Sequence, residues 1–178
     1  MAILPIITAP DPRLKRIADP VTEVDDDIKR LMDDMLETMY NAPGIGLAAP
    51  QVGLLKRVIV VDVAREGEDP APYCMADPTL QWVSDHDATY EEGCLSLPEH
   101  YADVARPAEI RMTYLDRGNR RRELSAEGLL ATCLQHEMDH LEGILFVDHI
   151  SALKRNMILR RLLKAKRAEK PLANYVTA

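Results

Sequence analysis

An α+β fold in one domain, residues 1–178, is predicted from three observations. Helical periodicity occurs early in the chain and again toward its end, while strand-like segments fill the middle. A length of 178 residues suits one sizeable core. No internal repeat or long linker divides the chain.

Taken in order, residues 1–24 combine prolines with short apolar pieces and are expected to wrap the body. From Asp25, Ile28, Leu31, Met32, Met35, Leu36 and Met39 recur at three and four, which predicts an amphipathic helix with acidic residues in its first turn. NAPGIGLAAPQVG, 41–53, ends that periodicity with three glycines and two prolines. RVIVVDV, 57–63, reads as a buried strand, 65–72 as a loop, and 73–83 as short strands. DATYEEGCLSLPE, 87–99, reads as one extended segment. EIRMTYLD and RRRELSAEG form a predicted hairpin turning at Arg117, Gly118 and Asn119. A helix is expected from Ser125 or Ala126 to Leu141, stopped by Gly143. The last helix starts near Ser151, with Leu153, Met157, Ile158, Leu162 and Leu163 on one side.

Composition narrows the setting. No apolar run approaches the roughly 20 residues needed to cross a bilayer, and the basic residues of MAILPIITAPDPRLKR follow its apolar run, the wrong order for a secretory signal. Three cysteines, Cys74, Cys94 and Cys133, leave one unpaired under any scheme, so free thiols and a cytoplasmic location are expected. The net charge of -7 is uneven: residues 151–178 carry eight Lys or Arg against Glu169, +7, which leaves -14 for the rest. That basic helix and tail could meet a polyanion without making the acidic body a DNA binder. No exposed apolar seam is evident in the pattern, so a monomer is expected.

The chemistry concentrates in LLATCLQHEMDHLEG, 129–143. On a helix, His136 and His140 stand one above the other and can share a cation, with Glu137 beside them to take the proton of a water the ion activates. Two buried imidazoles without a partner would be costly, which favours a metal over a chance pairing. The third ligand is reached by elimination. After Gly143, position 146 is Phe rather than His, His149 comes three residues late, and the last helix offers only Glu169 as a carboxylate. Cys133 lies on the histidine face but would be nearly collinear with the other two ligands, so it reads as a cavity wall, and Cys74 reads as core. Cys94, in EEGCLSLP beside Gly93, is left to complete the set. Three protein ligands leave a fourth position open, the mark of a catalytic site. The Leu95 N–H and the Gln51 side-chain amide are candidate donors to a developing oxyanion. A closed structural zinc site and a module that only binds peptide are the non-enzymatic alternatives, and neither needs Glu137. An amidase of the same fold acting on another small N-acyl group is the enzymatic one.

Three segments, GIGLAAPQ (44–51), EGCLSLP (92–98) and QHEMDH (135–140), together resemble the signature motifs of bacterial peptide deformylase in order and spacing. The likeness runs from PDPRL to the helix near residue 163, and the long C-terminal helix resembles the Gram-negative form. The resemblance implies a peptide-deformylase-like fold, small sheets around a central HExxH helix, and hydrolysis of the N-formyl group from formyl-methionine on nascent polypeptides. It implies Cys94, His136 and His140 as ligands of one divalent ion, Glu137 as general base and acid, and Gln51 and Leu95 at the oxyanion. Gly46 would receive the substrate backbone. Ile45, Glu92, Gly93, Leu129, Cys133 and His136 would enclose the methionine side chain. The ion implied is Fe2+, with Zn2+, Ni2+ or Co2+ able to substitute, and the basic C-terminal helix would dock on the ribosome near the peptide exit. Tyr101 stands where some relatives carry an arginine, which bears on substrate contacts rather than on the chemistry.

Overall fold

The computed structural model describes residues 2–65 and 67–168. In chain order these form α1 (Asp26–Asn41), β1 (Gly46–Ala48), β2 (Val58–Val61), β3 (Tyr73–Val83), β4 (Asp87–Cys94), β5 (Leu97–Pro107), β6 (Glu109–Leu115), β7 (Arg121–Glu127), α2 (Gly128–Leu141) and α3 (Ala152–Ala168). Strands β1-β2-β3-β6-β7 make one antiparallel sheet, and β4-β5 make a separate hairpin. No helix among the described residues is long and apolar enough to cross a membrane.

The sheet carries a helix on each face, which is why VIVV in β2 is apolar throughout. Val58 and Val60 pack with Met32, Met35 and Met39 of α1. Ile59 and Val61 pack with Leu134, Met138 and Leu141 of α2. α1 starts where the Asp25 carboxylate accepts from the Ile28 N–H at 2.9 Å, with Asp26 and Asp27 in the first turn. A third cluster joins Leu97 and Val104 of the hairpin to Phe146, Val147 and Leu162, so α2 lies between the sheet and the hairpin region. The N-terminal segment does wrap the body: the N–H groups of Ile7, Ala9 and Ala18 donate to the carbonyls of Gln51, Ser96 and Leu141.

Four local expectations change. Residues 73–83 form one strand with two irregularities rather than short pieces. The extended segment at 87–99 is broken by a tight turn at Leu95 and Ser96, which folds β5 back on β4. Ser125 and Ala126 do not start the central helix; they pair with Arg111 and Ile110, and the chain switches to helix at Gly128, whose φ is +59°. A glycine makes that left-handed junction at no steric cost. In α3, Leu162 is buried, but Leu153, Met157 and Leu163 are exposed, because the helix touches the body along a narrower line than its apolar spacing suggests. Residues 169–178 of the expected basic tail lie outside the described residues.

Gly143 ends the helical region at φ +70°, and a Cβ there would lie 2.5 Å from the Lys15 carbonyl oxygen. The Gly143→Ala variant is expected to lose about 1–3 kcal/mol of stability, read from the shift of the urea unfolding midpoint.

Candidate metal centre

Strand β4 ends at Cys94, and α2 presents His136 and His140 one turn apart on the face toward it. One ligand atom from each of the three lies within 4.8 Å of the others. Cys94 Sγ is 3.3 Å from His140 Nε2, and the two imidazole rings meet edge to face with centroids 5.0 Å apart. His136, Glu137 and His140 are all buried, as is most of α2.

The His136 ring is oriented from behind. Its Nδ1–H donates to Glu92 Oε2 at 2.8 Å, which turns Nε2 toward Cys94. Glu92 in turn accepts from Arg106 Nε at 2.6 Å and from its terminal nitrogen at 3.0 Å. Burial alone would raise the Glu92 pKa, but the hydrogen bonds from His136 and Arg106 outweigh it and hold the carboxyl down at about 2. His136 is pulled two ways: burial favours the neutral ring, while Cys94 and Glu92 favour its charged form and prevail. Burial drives His140 the other way, toward neutrality, helped by the charge of His136. A cysteine sulfur and two imidazoles that converge in this way suit a borderline divalent ion such as zinc or ferrous iron.

Glu137 stands apart from this pairing. Its Oε2 has no hydrogen-bond partner among the described residues, and burial pushes the carboxyl up to about 7. A buried carboxyl that titrates near neutrality and faces no fixed partner is poised to take and return a proton. The fit to a bound ion therefore rests on two observations: the converging donors, and an orphaned acid beside them. His140 Nδ1 also lacks a partner among the described residues, and nothing in the structure explains it.

A cavity of about 420 Å³ opens over this cluster. Gly46, Gln51, Leu95 and Glu137 line its inner end, with Glu92, Gly93 and His136 alongside. Ile45, Leu129 and Cys133 supply apolar wall, and Ile45 and Leu129 are partly open to solvent at the mouth. Of the residues singled out from the sequence, His140 alone is not part of that lining. Gln51 is held by the Ala48 N–H, which donates to its Oε1 at 2.8 Å, so its amide nitrogen faces Cys94 Sγ at 3.4 Å and Ser96 Oγ at 3.2 Å. The Leu95 N–H has no acceptor among the described residues. A Cβ on Gly46 would collide with Glu137 Oε1, so only glycine leaves that carboxylate its place. Burial pushes the Cys133 thiol well up, and its Sγ lies 3.5 Å from the Ile45 carbonyl, the behaviour of a wall.

Arg106 and Asp139 bear on the site without having been singled out from the sequence, and His149, set aside there as a ligand, joins them in a different role. Arg106 is buried in β5 and also bonds Asp139 at 2.8 Å, while Asp139 accepts from His149 Nε2 at 2.7 Å. One signal for Arg106 was available, since Val104 and Arg106 share the inward face by strand alternation.

A family model described as polypeptide deformylase matches residues 3–156. The peptide deformylase of Methylocella silvestris is 56% identical over 95% of this chain and 88% of its own length. The crystal structure of the Ehrlichia chaffeensis peptide deformylase superposes with a TM-score of 0.89 at 39% identity, covering 94% of this chain and 98% of its own. The same organism's enzyme in complex with actinonin gives 0.88 at 40% identity, with 96% and 99% covered.

Equilibrium dialysis against a divalent metal is expected to give one ion per chain. The His136→Ala variant should weaken that binding by at least about tenfold, since the two remaining ligands cannot enclose the ion.

Proposed function

The chain belongs to the polypeptide deformylase family, and we propose that Cys94, His136 and His140 hold the metal with which it removes the N-formyl group from formyl-methionine chains. When bound, the ion supplies Lewis-acid chemistry, polarising the formyl carbonyl and lowering the pKa of the attacking water. The remaining steps belong to the protein. Glu137 takes the proton of the water and delivers it to the leaving amine, work for which a carboxyl near pKa 7 is matched. The Gln51 amide, fixed through Ala48, and the free Leu95 N–H donate to the oxyanion.

The substrate backbone is proposed to run along β1, which is an edge strand of the sheet and has no side chain at Gly46 to obstruct it. The methionine side chain then enters the apolar part of the cavity, against Ile45, Gly93, Leu129 and Cys133. A flexible thioether packs well against such a surface. Actinonin, bound by the Ehrlichia relative, is proposed to occupy the same cavity. The ion proposed in the cell is Fe2+, with Zn2+, Ni2+ or Co2+ as substitutes.

The proposed setting is the cytoplasm, with residues 1–178 as one catalytic domain acting as a monomer. Residues 152–168 of α3 hold seven Lys or Arg and no acidic residue, a charge that supports docking on ribosomal RNA near the peptide exit.

The orphaned Glu137 carboxyl beside three converging ligands carries this reading. Its test is amine release from formyl-Met-Ala-Ser and acetyl-Met-Ala-Ser, run anaerobically with ferrous iron. Turnover of the formyl peptide alone is expected; equal turnover of both would indicate a broader amidase. The Glu137→Ala variant should keep its metal and lose about 10²–10⁴-fold in kcat. Unchanged turnover in that variant would remove Glu137 from the mechanism.

A further inference from the structure

The proposed ligands come from two elements that no local rule holds together. Cys94 is on β4 and the histidines are on α2, so their separation depends on what ties the hairpin to the helix. The bond from His136 to Glu92 is one tie, and a guanidinium adds a second that reaches both elements. Arg106, on β5 and almost fully buried, uses Nε and one terminal nitrogen on Glu92, two residues before Cys94. Its other terminal nitrogen donates to Asp139, which is three residues from His136 and adjacent to His140. The planar fork of arginine allows little relative movement between groups bound in this way.

His149, on the 3-10 turn Phe146–His149 that follows α2, extends this chain of contacts. Its Nε2–H donates to the same Asp139 oxygen that Arg106 uses. Asp139 and His149 both line an open groove of about 460 Å³, beside Arg57, Gln135 and Glu142. Without His149, Asp139 could swing toward solvent and release the guanidinium on the helix side. Phe146, at the start of the same turn, stacks on the His136 ring at 6.3 Å and 22°, so one short turn braces both ends of the chain of contacts.

We propose that Arg106, Asp139 and His149 are positioning residues that fix the strand carrying Cys94 against the helix carrying His136 and His140. The inference rests on the ligand assignment above and adds to it three residues that touch neither substrate nor ion. A role of this kind acts on metal retention and on turnover together, while substrate binding stays as it was. A merely structural contact would lower the melting temperature and leave the ion in place.

The test uses the full chain loaded with Co2+, whose thiolate-to-cobalt absorption reports the Cys94 contact, and follows cobalt loss to a chelator beside kcat and KM. Asp139→Ala is expected to lose cobalt about 10–100-fold faster, with a matching fall in kcat and an unchanged KM. His149→Phe, at a more exposed position, should lose cobalt several times faster, and His149→Gln, which keeps an N–H donor, should restore most of the retention. If Asp139→Ala does not fold, the His149 pair decides. Cobalt loss at the wild-type rate in His149→Phe, or in a folded Asp139→Ala with a lowered melting temperature, would overturn the proposal. A thiolate absorption that survives in Cys94→Ser would instead overturn the ligand assignment, and the positioning roles with it.

Discussion

Taking a carboxyl and two imidazoles out of water on one turn of helix costs several kcal/mol unless each group acquires a partner. Much of the architecture around α2 can be understood as the supply of those partners. A helix on the surface of a sheet buries one stripe, but residues 131–138 of α2 are all buried. Covering them takes the five-stranded sheet on one side and the β4-β5 hairpin on the other. The sheet side is met by aliphatic residues, Ile59, Met75 and Met112 among them, against Leu134 and Leu141. The hairpin side is met by charge, through Glu92, Arg106 and the thiol of Cys94. Chemistry sits where the packing changes from one kind to the other.

The ion pair between Glu92 and Arg106 fits that division. An apolar pair of similar volume would often be as stable in such a position, and with less desolvation. What it could not supply is direction. Glu92 holds Nδ1 of His136 and thereby sets the face the ring turns to Cys94. The depressed pKa of Glu92 keeps that acceptor ionised well below neutral pH. Glu137, next to His136 on α2, is left without such partners among the described residues and is pushed in the opposite direction. Two carboxyls of one cavity thus differ in role because their surroundings differ, not their chemistry.

This division also explains which parts were legible in the sequence. The helix of 26–41 and the spacing of His136, Glu137 and His140 are local patterns, and local patterns survive into the fold. The turn at Leu95 and Ser96 carries neither glycine nor proline, so nothing in the chain announced that 87–99 doubles back. Helical spacing extended back to Ser125, but the ladder to β6 claims residues 121–127 and the helix waits for Gly128. In α3 the apolar spacing indicated a side but not its width, and Leu153 is left in solvent. Arg106, Asp139 and His149 were the least legible, since their contacts join positions 10 and 33 residues apart and follow from the tertiary fold alone.

β1 gathers these constraints into three residues. Leu47 enters the α1 core, Ala48 enters the α2 core and holds Gln51 through its N–H, and Gly46 contributes only the absence of a side chain. Each demand excludes the others' residue types. A larger residue at 48 would press on α2, and any side chain at 46 would displace Glu137. Being the edge strand, β1 also keeps one row of backbone groups unpaired by the sheet, on the side where the cavity opens. An unpaired edge is ordinarily a liability that proteins cover or blunt. Here the edge is short, flanked by Pro43 and Pro50, and placed beside the buried acid. An extended peptide is the partner that such an edge accommodates, and its first carbonyl would then lie next to Glu137.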